Sequence, residues 1–287
     1  MNMNYKLVIG VILIIIIVSG ISLILSEDEN KSEKKSKENF VNVDEIEMKE
    51  YSDISIFNVF AKSNDIFLID GKRIPIKASF GLKENHEEIY DRIKNDQNDI
   101  IVIIPTFTAM AYGENGFYQY FKEECDQTCL TVKNSDRDFD YHSSANGIKI
   151  LKLLDYEFIS DIDVDKNPSI LDNYEKIILL HNEYVTKKEF DAISNHPNVL
   201  YLYPNALYAE INYDYENDEI VLIKGHGYPE KEIDNGFNWE FDNTRPYEFD
   251  SQCNNWDFME IPNGRMLNCY PEQLFWTDSN FLEKIKE

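Results

Sequence analysis

Beyond the amino-terminal region, the most apolar stretch of the chain is Asp99-Ile100-Ile101-Val102-Ile103-Ile104-Pro105, aliphatic at every position between Asp99 and Pro105. A strand wetted on one face alternates apolar and polar residues. An unbroken run therefore predicts burial on both faces, as in a parallel sheet covered by helices. Ile177-Ile178-Leu179-Leu180 and Asn198-Val199-Leu200-Tyr201-Leu202-Tyr203 have the same character. Helical spacing surrounds these runs. Ile89, Tyr90 and Ile93 share one face of 84–94, and Ile148, Ile150, Leu151, Leu153 and Leu154 cluster in a helix that runs into a short strand at Glu157-Phe158-Ile159. A short helix covers 168–174, and Thr186 is placed to cap another that begins at Lys187. Strand, helix, strand, helix, strand from Asp99 to Tyr203 predicts an α/β fold with a doubly wound, mostly parallel sheet and right-handed crossovers. Residues 106–113 and 161–165 read as loops. Residues 54–76, with a turn at Asp70-Gly71, read as a small β-rich opening. After Glu210 the pattern changes to a strand at 220–223 and a Gly-, Asn- and aromatic-rich stretch, helical again only at Ser279. The segment 214–287 is thus expected to be an irregular β-rich extension closing over the sheet. Its large aromatics, among them Trp239 and Trp256, read as core more readily than as a carbohydrate platform.

The amino terminus adds an address. An almost unbroken Ile/Leu/Val run from Leu7 to Leu25 is long enough to cross the hydrocarbon core and lacks the short apolar region and small-x-small cleavage site of a signal peptide. It predicts a transmembrane anchor at 1–26. Residues 27–50 are mostly Glu, Asp, Lys, Asn and Ser, too polar to bury a core, and predict a disordered charged tether to a single α/β domain at 51–287. Asn30-Lys31-Ser32 in the tether is a glycosylation-type triplet, a pattern common by chance. Lys31, Lys34, Lys35 and Lys37 follow the span and a literal count would keep the domain inside. Lys6 before the span and Glu27, Asp28 and Glu29 after it point the other way, and the domain is read as extracytoplasmic. The net charge of −25 excludes a nucleic-acid partner, which would need clustered Lys and Arg. Four cysteines, Cys125, Cys129, Cys253 and Cys269, suggest two disulfides in an exported domain. Three pairings are open, the local ones being simplest, and Cys-x3-Cys with Cys-x15-Cys does not match finger-type zinc spacing.

Chemistry-bearing residues collect where the apolar runs end. His181 and Glu183 follow Ile177-Ile178-Leu179-Leu180, and in an open α/β sheet ligands sit beyond the carboxyl ends of the strands. The plainer alternative is a His that caps a strand end and a solvated Glu. Asp161, Asp163 and Asp165 alternate as calcium ligands do, but without the Gly and closing Glu of a calcium hand they read as a solvated turn. A thiolate nucleophile is not expected, because the turn after Tyr203 is Pro204-Asn205-Ala206. His142, His196 and His226 show no ligand spacing and receive no role.

Three of these stretches together resemble the C-terminal domain of the N,N-dimethylformamidase large subunit, a relative of the class I glutamine amidotransferase fold. There the central strand ends in Gly-His-Asp-Glu-Tyr-Trp; here it ends in Leu180-His181-Asn182-Glu183-Tyr184-Val185. The next strand there closes with Gly-Ala-Asn-Ala-x-Tyr-Trp, here Tyr203-Pro204-Asn205-Ala206-Leu207-Tyr208-Ala209. The earlier loop, Pro-Thr-Asn-Thr-Trp-x-Ala-Tyr-Asn, is similar to Pro105-Thr106-Phe107-Thr108-Ala109-Met110-Ala111-Tyr112-Gly113. The resemblance implies that fold and a mononuclear iron held by two tyrosinates and a glutamate, with Tyr112 and Glu183 as metal ligands and His181 as the motif histidine, acting as acid/base. Hard oxygen donors of this kind suit a Lewis-acidic metal that activates water against an amide carbonyl. Ala78-Ser79-Phe80-Gly81-Leu82 offers no second tyrosine, and Asn182 and Val185 replace an Asp and a Trp. The expectation is a membrane-anchored domain with an incomplete metal site that binds a small molecule, glycan or partner without catalysis. The alternative is a metal-dependent amide hydrolase.

Overall fold

A computed structural model describes residues 46–47, 49–69, 72–135 and 138–287. The run from Leu7 to Leu25, expected to span a membrane, lies outside them, as does most of the expected tether. Among the described residues no helix is long and apolar enough to cross a membrane.

The three apolar runs are neighbours in one sheet. Ile100–Ile104, Lys176–Leu179 and Val199–Tyr201 pair in parallel, with Ile100 opposite Lys176 and Val199 opposite Ile177. Glu157–Ser160 joins in parallel outside the first of these and Gly264–Leu267 outside the last, while Phe258–Ile261 closes that edge antiparallel. Numbered along the chain, the parallel strands lie in the order 2-1-3-4-5. The winding direction reverses between Ile100–Ile104 and Lys176–Leu179, and such a reversal opens a crevice beyond the carboxyl ends of the two strands.

Alternate side chains of the runs enter opposite layers, which is why the runs are apolar throughout. Ile100, Val102, Ile178, Leu180, Leu200 and Leu202 pack with Ile148 and Leu151 of the Ala145–Leu153 helix and with Phe275 and Phe281 near the carboxyl terminus. Ile101, Ile103, Ile177, Leu179, Val199 and Tyr201 pack instead with Val164 of the Asp161–Lys166 helix and Ile193 of the Lys187–Asn195 helix. The fold is therefore α/β with a mostly parallel sheet, as expected.

Several expectations are corrected. Thr106–Ala111 is a helix and not a loop; its first turn is tied by the Phe107 N–H, which donates to Asp161 Oδ2 at 2.8 Å. Asp161–Lys166 is also a helix, opened by a capping box between Ser160 and Asp163. Asp161 and Asp163 thus serve helix starts, and Asp165 accepts from the Tyr215 hydroxyl. Ile46–Glu47, expected in the tether, pairs antiparallel with Phe57–Ala61, so the folded chain begins before residue 51. Tyr184–Thr186 leaves the main sheet and heads a second one, continued by Ala209–Asp214, Glu219–Lys224 and Thr131–Lys133. The 214–287 extension does not only close over the sheet: it supplies Phe258–Ile261 and Gly264–Leu267 to the sheet itself and ends in the Leu274–Thr277 and Ser279–Lys286 helices. Trp239 and Trp256 are partly buried against the two layers. Disulfides join Cys125 to Cys129 and Cys253 to Cys269, the local pairs, which leaves no thiolate for zinc.

Candidate functional site

The chain leaving Lys176–Leu179 continues as Leu180, His181, Asn182 and Glu183, all buried. Hydrogen bonds from three directions set its path. The His181 N–H donates to Ser144 Oγ at 3.0 Å, and the Glu183 N–H donates to Thr108 Oγ1 at 3.0 Å. Thr108 belongs to the helix that follows Ile100–Ile104, so the two strand ends flanking the reversal are tied together. The Glu183 carbonyl accepts from the N–H groups of Tyr208 and Ala209, and the Asn182 carbonyl from that of Leu207, each at 2.9 Å. In that third segment Asn205 and Leu207 hold φ of +58° and +56°. Left-handed backbone costs non-glycine residues roughly 1 kcal/mol or more and persists where the surroundings over-determine it. Here it presents the Asn205 side chain to His181.

Within this frame, His181 Nδ1 meets the carbonyl of His142. A carbonyl only accepts, so Nδ1 carries a proton. Nε2 faces two acceptors, Asn205 Oδ1 at 2.9 Å and Glu183 Oε2 at 3.5 Å. The ring stacks on Tyr203, whose hydroxyl donates to Glu272. Glu183 Oε1 lies 2.5 Å from His226 Nε2, while Oε2 is buried with no hydrogen-bond partner. Tyr112 follows the Thr106–Ala111 helix, its ring stacked on His142 at 5.0 Å between centroids and 6.0 Å from His181. Tyr112, His181 and Glu183, expected together, meet in the crevice.

The electrostatics are asymmetric. Burial raises the Glu183 carboxyl, but the hydrogen bond and charge of His226, then the charge of His181 and the Tyr112 hydroxyl, outweigh it and hold Glu183 below the usual carboxylate range. Burial, followed by the Glu183 charge, pushes the Tyr112 phenol well above its usual range, so it stays protonated at neutral pH. Over the cluster lies a cavity of about 230 Å³ walled by Tyr112, Tyr118, Tyr141, Tyr270, His142 and His181. Glu248 and the largely exposed Phe249 complete its wall. A larger groove of about 720 Å³ reaches His226 from the side of Phe121.

His226 and His142 are the residues that sequence reasoning left without a role. Only tertiary packing brings His226 to Glu183, across 43 residues of chain. It holds φ of +51° between two positive-φ glycines, Gly225 and Gly227, and no local signal marked it as the partner of Glu183. His196, also left without a role, bonds the Tyr174 and Asn198 carbonyls and stays away from the cluster.

Of a two-tyrosine, one-glutamate set the crevice holds Tyr112 and Glu183, with Tyr118 and Tyr184 against the Tyr112 ring. Phe80 lies in the Ser79–Leu82 strand of a separate small sheet, packed against the first layer of core, so no phenol comes from that segment. Glu183 Oε1 is already engaged by His226. Among the described residues no group of three or more His, Cys, Asp or Glu side chains is disposed to hold a metal ion. Fold and site together define an α/β domain with a buried Glu–His cluster at the reversal point of a mostly parallel sheet. Neither a protein-family model nor a curated protein matches the chain.

Proposed function

We propose that the chain is a ligand-binding α/β domain that takes a small molecule into the cavity over Tyr112, His181 and Glu183. The reading rests on Glu183, a wholly buried carboxylate kept ionised by two histidines. An ion out of water costs several kcal/mol unless well paired, and groups so arranged concentrate at functional sites. A cavity of about 230 Å³ is below the roughly 300–1,000 Å³ of drug-sized sites, so a small molecule fits better than a glycan. The strand order and the place of the cluster at the sheet's reversal are what a relative of the N,N-dimethylformamidase large subunit, with its glutamine amidotransferase-like fold, would have. Anchoring through Leu7 to Leu25 with the domain outside the cytoplasm completes the proposal. The two disulfides support an oxidising compartment, where such bonds persist.

Metal-assisted amide hydrolysis is the second reading, favoured by one observation: Glu183 Oε2 has no hydrogen-bond partner and stands beside His181 Nε2 at 3.5 Å. Metal content and amide turnover of the purified full chain separate the two. The binding reading expects no stoichiometric metal, no turnover, and a rise in melting temperature with some member of a panel of small amides, alcohols and amines, reduced in Tyr118→Leu. Stoichiometric iron that is lost in Glu183→Gln, together with amide turnover, would replace it with the hydrolase.

A further inference from the structure

The cavity wall is mostly aromatic, and it carries a carboxyl group, Glu248, while Lys122 and Arg245 lie outside it. Tyr112, Tyr118, Tyr141, Tyr270 and Phe249 line it, and no lysine or arginine does so among the described residues. Glu183 lies behind His181 and Tyr112, and Glu248 is in the wall itself. An anion would meet two carboxylates there. A neutral solute would gain less from the ring quadrupoles than a cation. A cation over aromatic faces gains about 0.5–2 kcal/mol per ring, most where water is excluded.

The chain already shows this preference. The Lys122 ammonium sits 4.4 Å from the centroid of the Tyr118 ring, one of the rings in the wall. The hydroxyl of Tyr270 is spent on the Tyr141 carbonyl at 3.0 Å, so that ring meets the cavity with its polar end engaged elsewhere. A bare ammonium needs several acceptors to replace its water. An alkylated one gives up water readily and offers methyl groups to rings.

We propose that the aromatic cavity beside His181 binds a small alkylammonium cation, tertiary or quaternary, with the Glu183 and Glu248 carboxylates as counter-charges and the tyrosine rings as its wall. This rests on the small-molecule reading above and names the class of ligand. Burial, then the Glu183 charge, raises the Glu248 carboxyl to about 7, so its counter-charge is complete only above that pH and the titration is run at about pH 8.5.

Isothermal titration of the purified full chain tests the proposal, with choline chloride as probe, sodium chloride as ionic control, and 3,3-dimethylbutan-1-ol as uncharged isostere. Choline is expected to bind saturably, one per chain, at least about tenfold tighter than the isostere. Tyr118→Leu should weaken choline by roughly 3- to 30-fold. Glu248→Gln should weaken choline, and Lys122→Met should tighten it several-fold, with the isostere unmoved in both. Lys122 is exposed and Glu248 half-buried, so these two variants remain informative if Tyr118→Leu does not fold. Equal affinity for choline and isostere, or no response to Glu248→Gln and Lys122→Met, would overturn the cation assignment and leave the small-molecule site standing. Absence of binding by both compounds would also overturn it. The site reading falls as well only if the wider panel raises no melting temperature.

Discussion

Buried carboxyl groups in this domain meet opposite fates, and the difference lies in their partners. Glu183 has two histidines and remains ionised. Glu272 is raised to about 8, by burial first, although the Tyr203 hydroxyl and the Asn146 N–H pull it down. Both carboxyl oxygens of Glu189 lack partners, and burial followed by the charges of Asp161 and Asp165 raises it well above the usual range. A carboxyl raised in the folded state holds a proton that the unfolded chain releases. Its contribution to stability is intact below the ordinary value of 4.5 and is lost as pH climbs through about 8 for Glu272. Glu272→Gln keeps the shape and the contact with Tyr203 but cannot titrate. Its melting temperature relative to wild type should therefore rise between about pH 5 and about pH 9. Parallel curves for the two proteins would refute this. His181 and Glu183 were legible because an aliphatic run delivers them to a strand end. His226 was not, since nothing local distinguishes a loop histidine that the fold will carry to a carboxylate.

Among the elements, those with long aliphatic runs were readable and those stabilised from elsewhere were not. Thr106–Ala111 holds fewer than two turns, and its first-turn N–H is met by Asp161, 54 residues away. Periodicity needs more residues than that to show itself. The Gly264–Leu267 strand was hidden for a different reason. It docks through a glycine at φ +151°, where a Cβ would lie 1.9 Å from the Val199 carbonyl oxygen. Gly264→Ala should therefore force the hairpin off the sheet edge and destabilise the domain by more than about 1–3 kcal/mol, read from urea denaturation. A loss below about 0.5 kcal/mol would mean that the edge tolerates a shift. The Cys253–Cys269 bond closes the same hairpin at its base.

Over the whole molecule, charge and topology act separately. The net charge of −25 works against compactness through self-repulsion, and salt screens it. Raising sodium chloride from about 20 mM to about 200 mM is expected to raise the melting temperature. An unchanged or falling value would show that the surface ion pairs, which salt weakens, outweigh the repulsion. Topology decides the site. The order 2-1-3-4-5 puts the segments after Ile100–Ile104 and Lys176–Leu179 side by side, which is what allows Thr108 to hold the Glu183 backbone and Tyr112 to lie against His142 and His181.

By itself the sequence determined that three aliphatic runs would be buried on both faces of a mostly parallel sheet, and that His181 and Glu183 would emerge where one of them stops. Both follow from local side-chain chemistry, because burial of an unbroken apolar strand needs a layer on each side whatever that layer is made of. Only the tertiary structure decided that His226 would hold Glu183, that His142 and Asn205 would orient His181, and that a carboxyl-terminal hairpin would complete the sheet. Those contacts join segments that are remote along the chain, and which remote segments meet depends on how whole elements dock.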